Sequence, residues 1–267
     1  MESIINYRNY NDCNNDVIEC YRDQRKNQSL NFVKYALKKY CVFDKKTTFW
    51  DLFDKLSNFK DLSDPDINLS NHHHLFQTAE GIRSDGLPDW LQLVGLMHDL
   101  GKVLYLKGCD EDGTSMNTQW GIVGDTFITG CRIPDSIVFN EFNILNADME
   151  HYEKKTKLGV YKKNIGLENV YCSFGHDEYL YKLLKFNNIK LPEEAYYMIR
   201  YHSLYLWHKE NEYKYFENEK DKKMKGWVKL FNQYDLYTKQ DIPTDLKSLR
   251  TFYNPIVNKY FPKEFYY

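Results

Sequence analysis

Apolar residues recur every three to four positions along most of this chain, a spacing that predicts helices rather than strands. Ala195, Met198, Ile199 and His202 fall at i, i+3, i+4 and i+7. Pro192 stands ahead of them in a first-turn position, and Glu193-Glu194 face the positive end of the helix. Trp227, Leu230, Phe231 and Tyr234 repeat the pattern, with Asp235 one residue on. His176, Tyr179, Leu180, Leu183 and Leu184 form a third stripe. Asp89 can cap a helix from Trp90 to Lys102, which Gly101 weakens near its end. Strand-like alternation is scarce, and Ile133 to Phe139 reads as a short extended piece at most. The fold is predicted to be mostly α.

Between these elements, Lys107-Gly108-Cys109-Asp110-Glu111-Asp112-Gly113 is polar and rich in turn formers. It lacks the full ligand pattern of a calcium loop and reads as a solvated turn. Asp64-Pro65-Asp66 is another turn, and the densely charged stretch from His208 to Lys225 reads as a surface connection or a solvent-facing helix. No repeat, low-complexity linker or domain boundary interrupts the 267 residues, so one domain is expected over 1–267.

Composition narrows the functional classes. A formal net charge of −2 weighs against a nucleic-acid or anionic-membrane partner. No apolar run reaches the ~18 residues of a membrane span, and Met1 to Asn6 carries no signal-peptide pattern. The six cysteines form no C-x-x-C pair, which suits reduced thiols in a cytoplasmic protein. With no heptad seam, a monomer is expected. The 23 Tyr, 16 Phe and 5 Trp are read as packing at the edge of the core rather than as a cofactor box.

The candidate chemistry lies on the helical stripes. Leu93 to Lys102 sets His98-Asp99 and then Lys102 into an otherwise apolar run. An ionised carboxylate buried there without a partner costs several kcal/mol, and a metal beside an imidazole can compensate it. Other helical segments carry His74, His176, His202 and Asp235 on or beside their apolar faces. Each alone suits a core residue bonded to a carbonyl, but six such residues on five segments suit a metal site between facing helices. Four imidazoles and two carboxylates exceed the needs of one zinc and suit two first-row transition ions such as Fe, Mn, Ni, Co or Zn. Spacing alone does not choose among His72, His73 and His74. It also leaves Lys102 open, as a contact to a substrate oxygen or as a surface lysine with a buried stem. His151 and His208 fall in polar stretches and are read as exposed, and Asp177 is read as serving the start of a helix.

The chain resembles the inositol oxygenase family of the HD-domain superfamily, over nearly all of its length from Arg8-Asn9-Tyr10 to Ser248-Leu249-Arg250. Long blocks carry the resemblance: His74-Leu75-Phe76-Gln77-Thr78-Ala79-Glu80-Gly81-Ile82-Arg83, Leu93 to Lys102, Val123-Gly124-Asp125-Thr126-Phe127 and Gly166-Leu167-Glu168-Asn169-Val170. Gly175-His176-Asp177-Glu178-Tyr179-Leu180-Tyr181, Met198-Ile199-Arg200-Tyr201-His202-Ser203 and Asp235-Leu236-Tyr237-Thr238-Lys239 complete it. The segment from Lys107 to Asn117 is longer than the family norm, and the one between Ile82 and Trp90 is shorter.

The resemblance implies a single-domain helical bundle of the HD-domain type with a di-metal centre between helices, and residues 1–30 closing over the site. It implies one iron on His74, His98, Asp99 and Asp235 and a second on Asp99, His176 and His202, with Asp99 as the bridge. It thereby selects His74 from the triplet and leaves Asp177 outside the ligand set. Arg8, Asp61, Ser63, Lys102, Gly124, Asp125, Ser203 and Lys239 match the family's polyol-binding positions, and Lys102 and Asp99 are the implied catalytic groups. The implied reaction is that of a non-haem di-iron oxygenase, in which mixed-valent Fe(II)/Fe(III) and O2 convert myo-inositol to D-glucuronate and water. A phosphohydrolase on the same scaffold is the rival enzyme, disfavoured because Asp61 and Asp125 would repel a phosphate ester. A metal-stabilised binding module is the non-enzymatic alternative, disfavoured because structural metal sites are normally closed and rich in cysteine.

Overall fold

The computed structural model describes residues 8–65, 70–152, 156–237 and 245–267. Eleven α-helices are found among them: α1 Asn15–Asn27, α2 Leu30–Tyr40, α3 Phe49–Asp54, α4 Asn71–Ser84, α5 Asp89–Met97, α6 Ala147–Tyr152, α7 His176–Phe186, α8 Glu193–Tyr201, α9 Tyr205–His208, α10 Glu219–Tyr237 and α11 Leu246–Tyr260. A two-residue antiparallel pair, β1 Lys46–Thr47 with β2 Phe265–Tyr266, joins the segments before α3 and after α11. Side-chain caps start several helices, with Asn14, Ser29, Thr48 and Asp245 accepting from amides of the first turn.

The mostly helical fold expected from the apolar spacing is observed. Helix α4 packs along α5, α7 packs on α8 and on the 3-10 segment Leu100–Leu106, and α10 lies against α8 and α4. Two apolar clusters result. Ala195, Met198 and Ile199 of α8 face one cluster and Tyr197 and Tyr201 the other, while α10 contributes Phe231 to the first and Val228 to the second. Helices α8 and α10 thus form a seam, and their C-terminal ends bring His202 and Asp235 to the site. A buried ion pair, Arg200 Nε donating to Glu178 Oε2 at 2.6 Å, ties α8 to α7.

Three expectations need correction. The helix expected to run through Lys102 ends at Met97, with His98 as its C-cap and Asp99 at φ −92°, ψ 0°; a tight 3-10 turn follows. The break lets the chain pass against α7: a Cβ on Gly101 would lie 2.1 Å from the His176 carbonyl oxygen. Its cap is Pro88, while Asp89 accepts from Lys259 and Tyr260 of α11. The stretch after His208 is no solvated connection, because Tyr213, Phe216 and Asp221 are fully buried. Tyr213 and Phe216 fill the second cluster, Glu217 and Asp221 are buried with hydrogen-bond partners, and only residues such as Lys214, Lys222 and Lys223 face outward, the last two on the start of α10. No strand spans Ile133 to Phe139. The turn at 107–113 is present, and Asp112 pins it by accepting from Lys39, Tyr35 and Tyr40.

Gly101 and Gly226 should respond oppositely to alanine. Gly101→Ala should destabilise by about 1–3 kcal/mol through overpacking against the α7 backbone. Gly226, inside α10 with nothing within 4 Å of an added Cβ, should gain about 0.5–1 kcal/mol as Gly226→Ala. Denaturant midpoints of the two variants would reveal the order, and a neutral Gly101→Ala would contradict the close approach.

Candidate metal centre and pocket

Each candidate ligand sits at or near a helix end. His74 lies in the first turns of α4, His98 and His202 cap α5 and α8 at their C-termini, His176 opens α7 and Asp235 lies in the last turn of α10. The C-terminal carbonyls of two helices therefore face the cluster and favour positive charge there. All six residues expected from the sequence converge. His74 Nε2 is 2.9 Å and His98 Nε2 3.3 Å from Asp235 Oδ1. On the other side His176 Nε2 is 3.1 Å and His202 Nε2 3.8 Å from Asp99 Oδ1, while Asp99 Oδ2 turns toward His98 Nε2 at 3.6 Å. Asp99 thus directs one oxygen to each group of imidazoles. His72 packs on the Phe53 and Phe76 rings, and His73 Nδ1 meets Ser70 Oγ at 2.9 Å, so neither joins the cluster.

The donor chemistry fits a metal. Three of the imidazoles are aimed by backbone carbonyls: Nδ1 donates to Gly95 O from His98, to Ile122 O from His176, and to Met198 and Ile199 O from His202. Their Nε2 atoms are left to the site, the usual arrangement of metal-binding histidines. His176 Nε2 and His202 Nε2 are only 3.1 Å apart. Two lone pairs at that distance repel unless a cation, proton or metal, lies between them. The electrostatics agree. Burial opposes a charge on His176, but Asp177 and Asp99 outweigh it and lift its pKa to about 10. Burial likewise opposes ionisation of Asp99, yet Lys102, His98 and the other imidazoles hold it well below the usual carboxylate range. Imidazole with carboxylate at these spacings suits a first-row transition ion.

A polar pocket opens onto this cluster, lined among others by Arg8, Asp61, Ser63, Lys102, Gly124, Asp125 and Ser203. Lys102 is 4% exposed, which rules out the surface reading. Its Nζ donates to Asp99 Oδ2 at 2.7 Å and Asn71 Oδ1 at 2.8 Å and pairs with Asp61 Oδ2 at 2.7 Å. Ser63 donates from both its amide and its hydroxyl to Asp61 Oδ1. Arg8 forks onto both oxygens of Asp125 at 2.8 and 2.6 Å, with its guanidinium 3.5 Å from the centre of the Tyr205 ring. Gln24 donates to the carbonyls of Val123 and Asp125, straddling Gly124, which takes a left-handed φ of +95° open to glycine. Lys239 lies outside the described residues.

Several residues escaped the sequence reading. Asp177 is in the first turn of α7 as expected, but it is buried, with Oδ1 2.6 Å from His176 Nε2 and 3.3 Å from His202 Nε2. The second His-Asp dyad was the available signal. His208 is buried rather than exposed: burial pushes its pKa down to about 4, and its Nε2 donates to the His202 carbonyl at 2.9 Å. His151 is exposed as expected. Asn71 lines the pocket with a buried Nδ2 that has no partner among the described residues. Tyr21 donates to Asp125 Oδ1 at 3.0 Å.

Fold and site together define a helical protein with a buried His/Asp cluster, able to hold metal, at the floor of a polar pocket. The family model for myo-inositol oxygenase matches residues 14–267. Inositol oxygenase of Dictyostelium discoideum is 42% identical over 271 residues, covering 100% of this chain and 91% of that protein. The Bos taurus and Homo sapiens inositol oxygenases are 44% and 43% identical, each covering 92% of this chain and 85% of their own length. The chain belongs to the myo-inositol oxygenase family.

The three neighbouring histidines should separate in a metal-uptake assay. His74→Ala should lower bound metal per chain, whereas His73→Ala should leave it unchanged. Elemental analysis after equilibrium dialysis distinguishes them, and a loss confined to His73→Ala would reverse the assignment.

Proposed function

We propose that this chain is an oxygenase that opens the ring of myo-inositol with O2 to give D-glucuronate and water at a di-iron centre. One iron would be held by His74, His98, Asp99 and Asp235 and the other by Asp99, His176 and His202. The observation that carries this reading is Asp99, whose two oxygens face two imidazole groups at the floor of a pocket lined with paired charges. Bound iron supplies Lewis acidity toward substrate hydroxyls and the electrons that dioxygen chemistry needs, with a mixed-valent Fe(II)/Fe(III) pair as the working state.

The residues of the chain bind and orient. A cyclic polyol offers hydroxyls that both donate and accept. Asp61 and Asp125 accept from them, while Lys102 Nζ, Arg8, Ser203 Oγ, Ser63 and the backbone at Gly124 donate; Lys239 belongs to the same set by its match to the family. Lys102 stands between Asp61 and the bridging Asp99, so its ammonium both polarises a substrate oxygen and offsets the buried carboxylates. Arg8, stacked on Tyr205 and forked onto Asp125, supports the expected closing role of the segment 1–30 in a single domain, of which residues 1–7 lie outside the described residues. Six free thiols suit the cytoplasm.

The charges favour a neutral substrate over a phosphate ester. Lys102 and Arg8 are each already paired with carboxylates, which leaves the pocket without surplus positive charge for a phosphate. After loading with Fe(II), aerobic incubation with myo-inositol should yield glucuronate; phosphate-ester hydrolysis with no glucuronate would overturn the reading. Lys102→Ala should keep its metal and lose about 10²–10⁴-fold in kcat/KM. Unchanged steady-state kinetics would remove Lys102 from the reaction.

A further inference from the structure

Gln24 lies buried on α1, behind the pocket rather than in its wall, yet it holds backbone that forms the wall. It is 3% exposed, and its Nε2 donates to Val123 O at 3.1 Å and to Asp125 O at 3.2 Å. Its Oε1 accepts from Arg25 Nη1 at 3.2 Å. A guanidinium only donates, so the side-chain amide has one orientation: turned over, it would set its oxygen against two carbonyl oxygens. Both Nε2 protons are thereby committed to the two carbonyls that flank Gly124.

The peptides of those carbonyls are trans, and in a planar trans peptide C=O and N–H point in opposite directions. In the Asp125–Thr126 peptide the oxygen meets Gln24, while the Thr126 N–H reaches the carbonyl of pocket-lining Ser203 at 2.9 Å. In the Val123–Gly124 peptide the oxygen also meets Gln24, but the Gly124 N–H has no acceptor among the described residues, although Gly124 lines the pocket. A Cβ on Gly124 would lie 2.8 Å from Gln24 Nε2, so the grip itself requires glycine. The Asp125 carboxylate is held separately, by Arg8 and Tyr21. We propose that Gln24 is a positioning residue for the polyol: by holding the Val123 carbonyl from behind, it aims the Gly124 N–H at one substrate hydroxyl.

The role rests on the polyol reading proposed above, and an Fe(II)-loaded wild-type chain that neither binds nor turns over myo-inositol would end both. The variants bear on Gln24 alone. Gln24→Met keeps the length of the side chain and removes its donors. In the Fe(II)-loaded enzyme with O2 it should raise KM for myo-inositol about 2–10-fold, the worth of one neutral hydrogen bond, with kcat within about twofold. Monodeoxy-inositols, each lacking one hydroxyl and used as competitive inhibitors, separate a lost contact from a general loosening. The analogue without the hydroxyl that meets Gly124 N–H should bind wild type and Gln24→Met alike, and the others should bind the variant about 2–10-fold more weakly. An unchanged KM, or an equal loss across the series, overturns the role and leaves Gln24 a structural donor to two buried carbonyls. Should Gln24→Met not fold, Gln24→Glu decides. Its carboxylate can pair with Arg25, whose bonds otherwise go to Gln24 and the Val138 carbonyl, but it brings no amide donor to the loop. The same analogue pattern supports the positioning role, and wild-type or uniformly raised Ki values overturn it.

Discussion

Everything at this site depends on keeping Asp99 ionised inside the protein. An unpaired carboxylate there would cost several kcal/mol, more than a typical domain can spare. The structure surrounds it with cations and potential cations: Lys102 on one oxygen, His98 beside the same oxygen, His176 and His202 on the other. His98 and Lys102 flank Asp99 in its own segment, while His176 comes from α7 and His202 from α8. Helices α5, α7 and α8 are thus constrained by one functional group, and His98 carries the constraint on to Asp235 of α10, which His74 of α4 also meets.

The constraint is transmitted through backbone rather than through long side chains. His98 and His202 cap their helices, and each ring donates to a carbonyl of its own last turn. Helix termination and ring orientation are therefore one event. His176 is held differently. Both its amide and its Nδ1 bond the Ile122 carbonyl, and Gln28 bonds Trp120 and Phe174 on either side of that junction. The α7 start is thus clamped to the 120–123 turn, while Gly101 admits the neighbouring 3-10 turn at a distance no side chain would allow.

What could be read from the sequence follows from this arrangement. Periodicity found α7, α8 and α10 because their apolar stripes face cores, and it found His176, His202 and Asp235 because ligands extend those stripes. It carried α5 too far, since no proline or cluster of turn formers marks a break at His98; the reason is the tertiary approach of α7. Burial of His208 was invisible because its neighbours in sequence are charged, although Trp207 and Tyr213 pull the segment inward. Choosing His74 from three adjacent histidines needed the family resemblance. Spacing of one residue rotates a side chain by about 100°, and the sequence does not state which direction is inward. Asp177 shows a related limit: a helix start is a sufficient explanation for an acidic residue, and only its contacts reveal that it is buried and turns toward His176.

Charge balance links the metal cluster to the kind of molecule the pocket accepts. Five carboxylates crowd the two adjoining regions, Asp61, Asp99, Asp125, Asp177 and Asp235, against two permanent cations, Lys102 and Arg8. In the absence of metal, protons on the imidazoles relieve part of that deficit, which is why burial fails to hold His176 neutral. Divalent or trivalent ions at the cluster relieve it more fully and release the imidazoles to act as neutral ligands. With the ions in place the carboxylates are neutralised from the cluster side, and the pocket presents alternating donors and acceptors with little net charge. A second anion such as a phosphate would restore the imbalance, whereas a neutral polyol adds hydroxyls without adding charge. The arrangement that makes the buried carboxylates tolerable is thus also the one that selects an uncharged, hydroxyl-rich substrate.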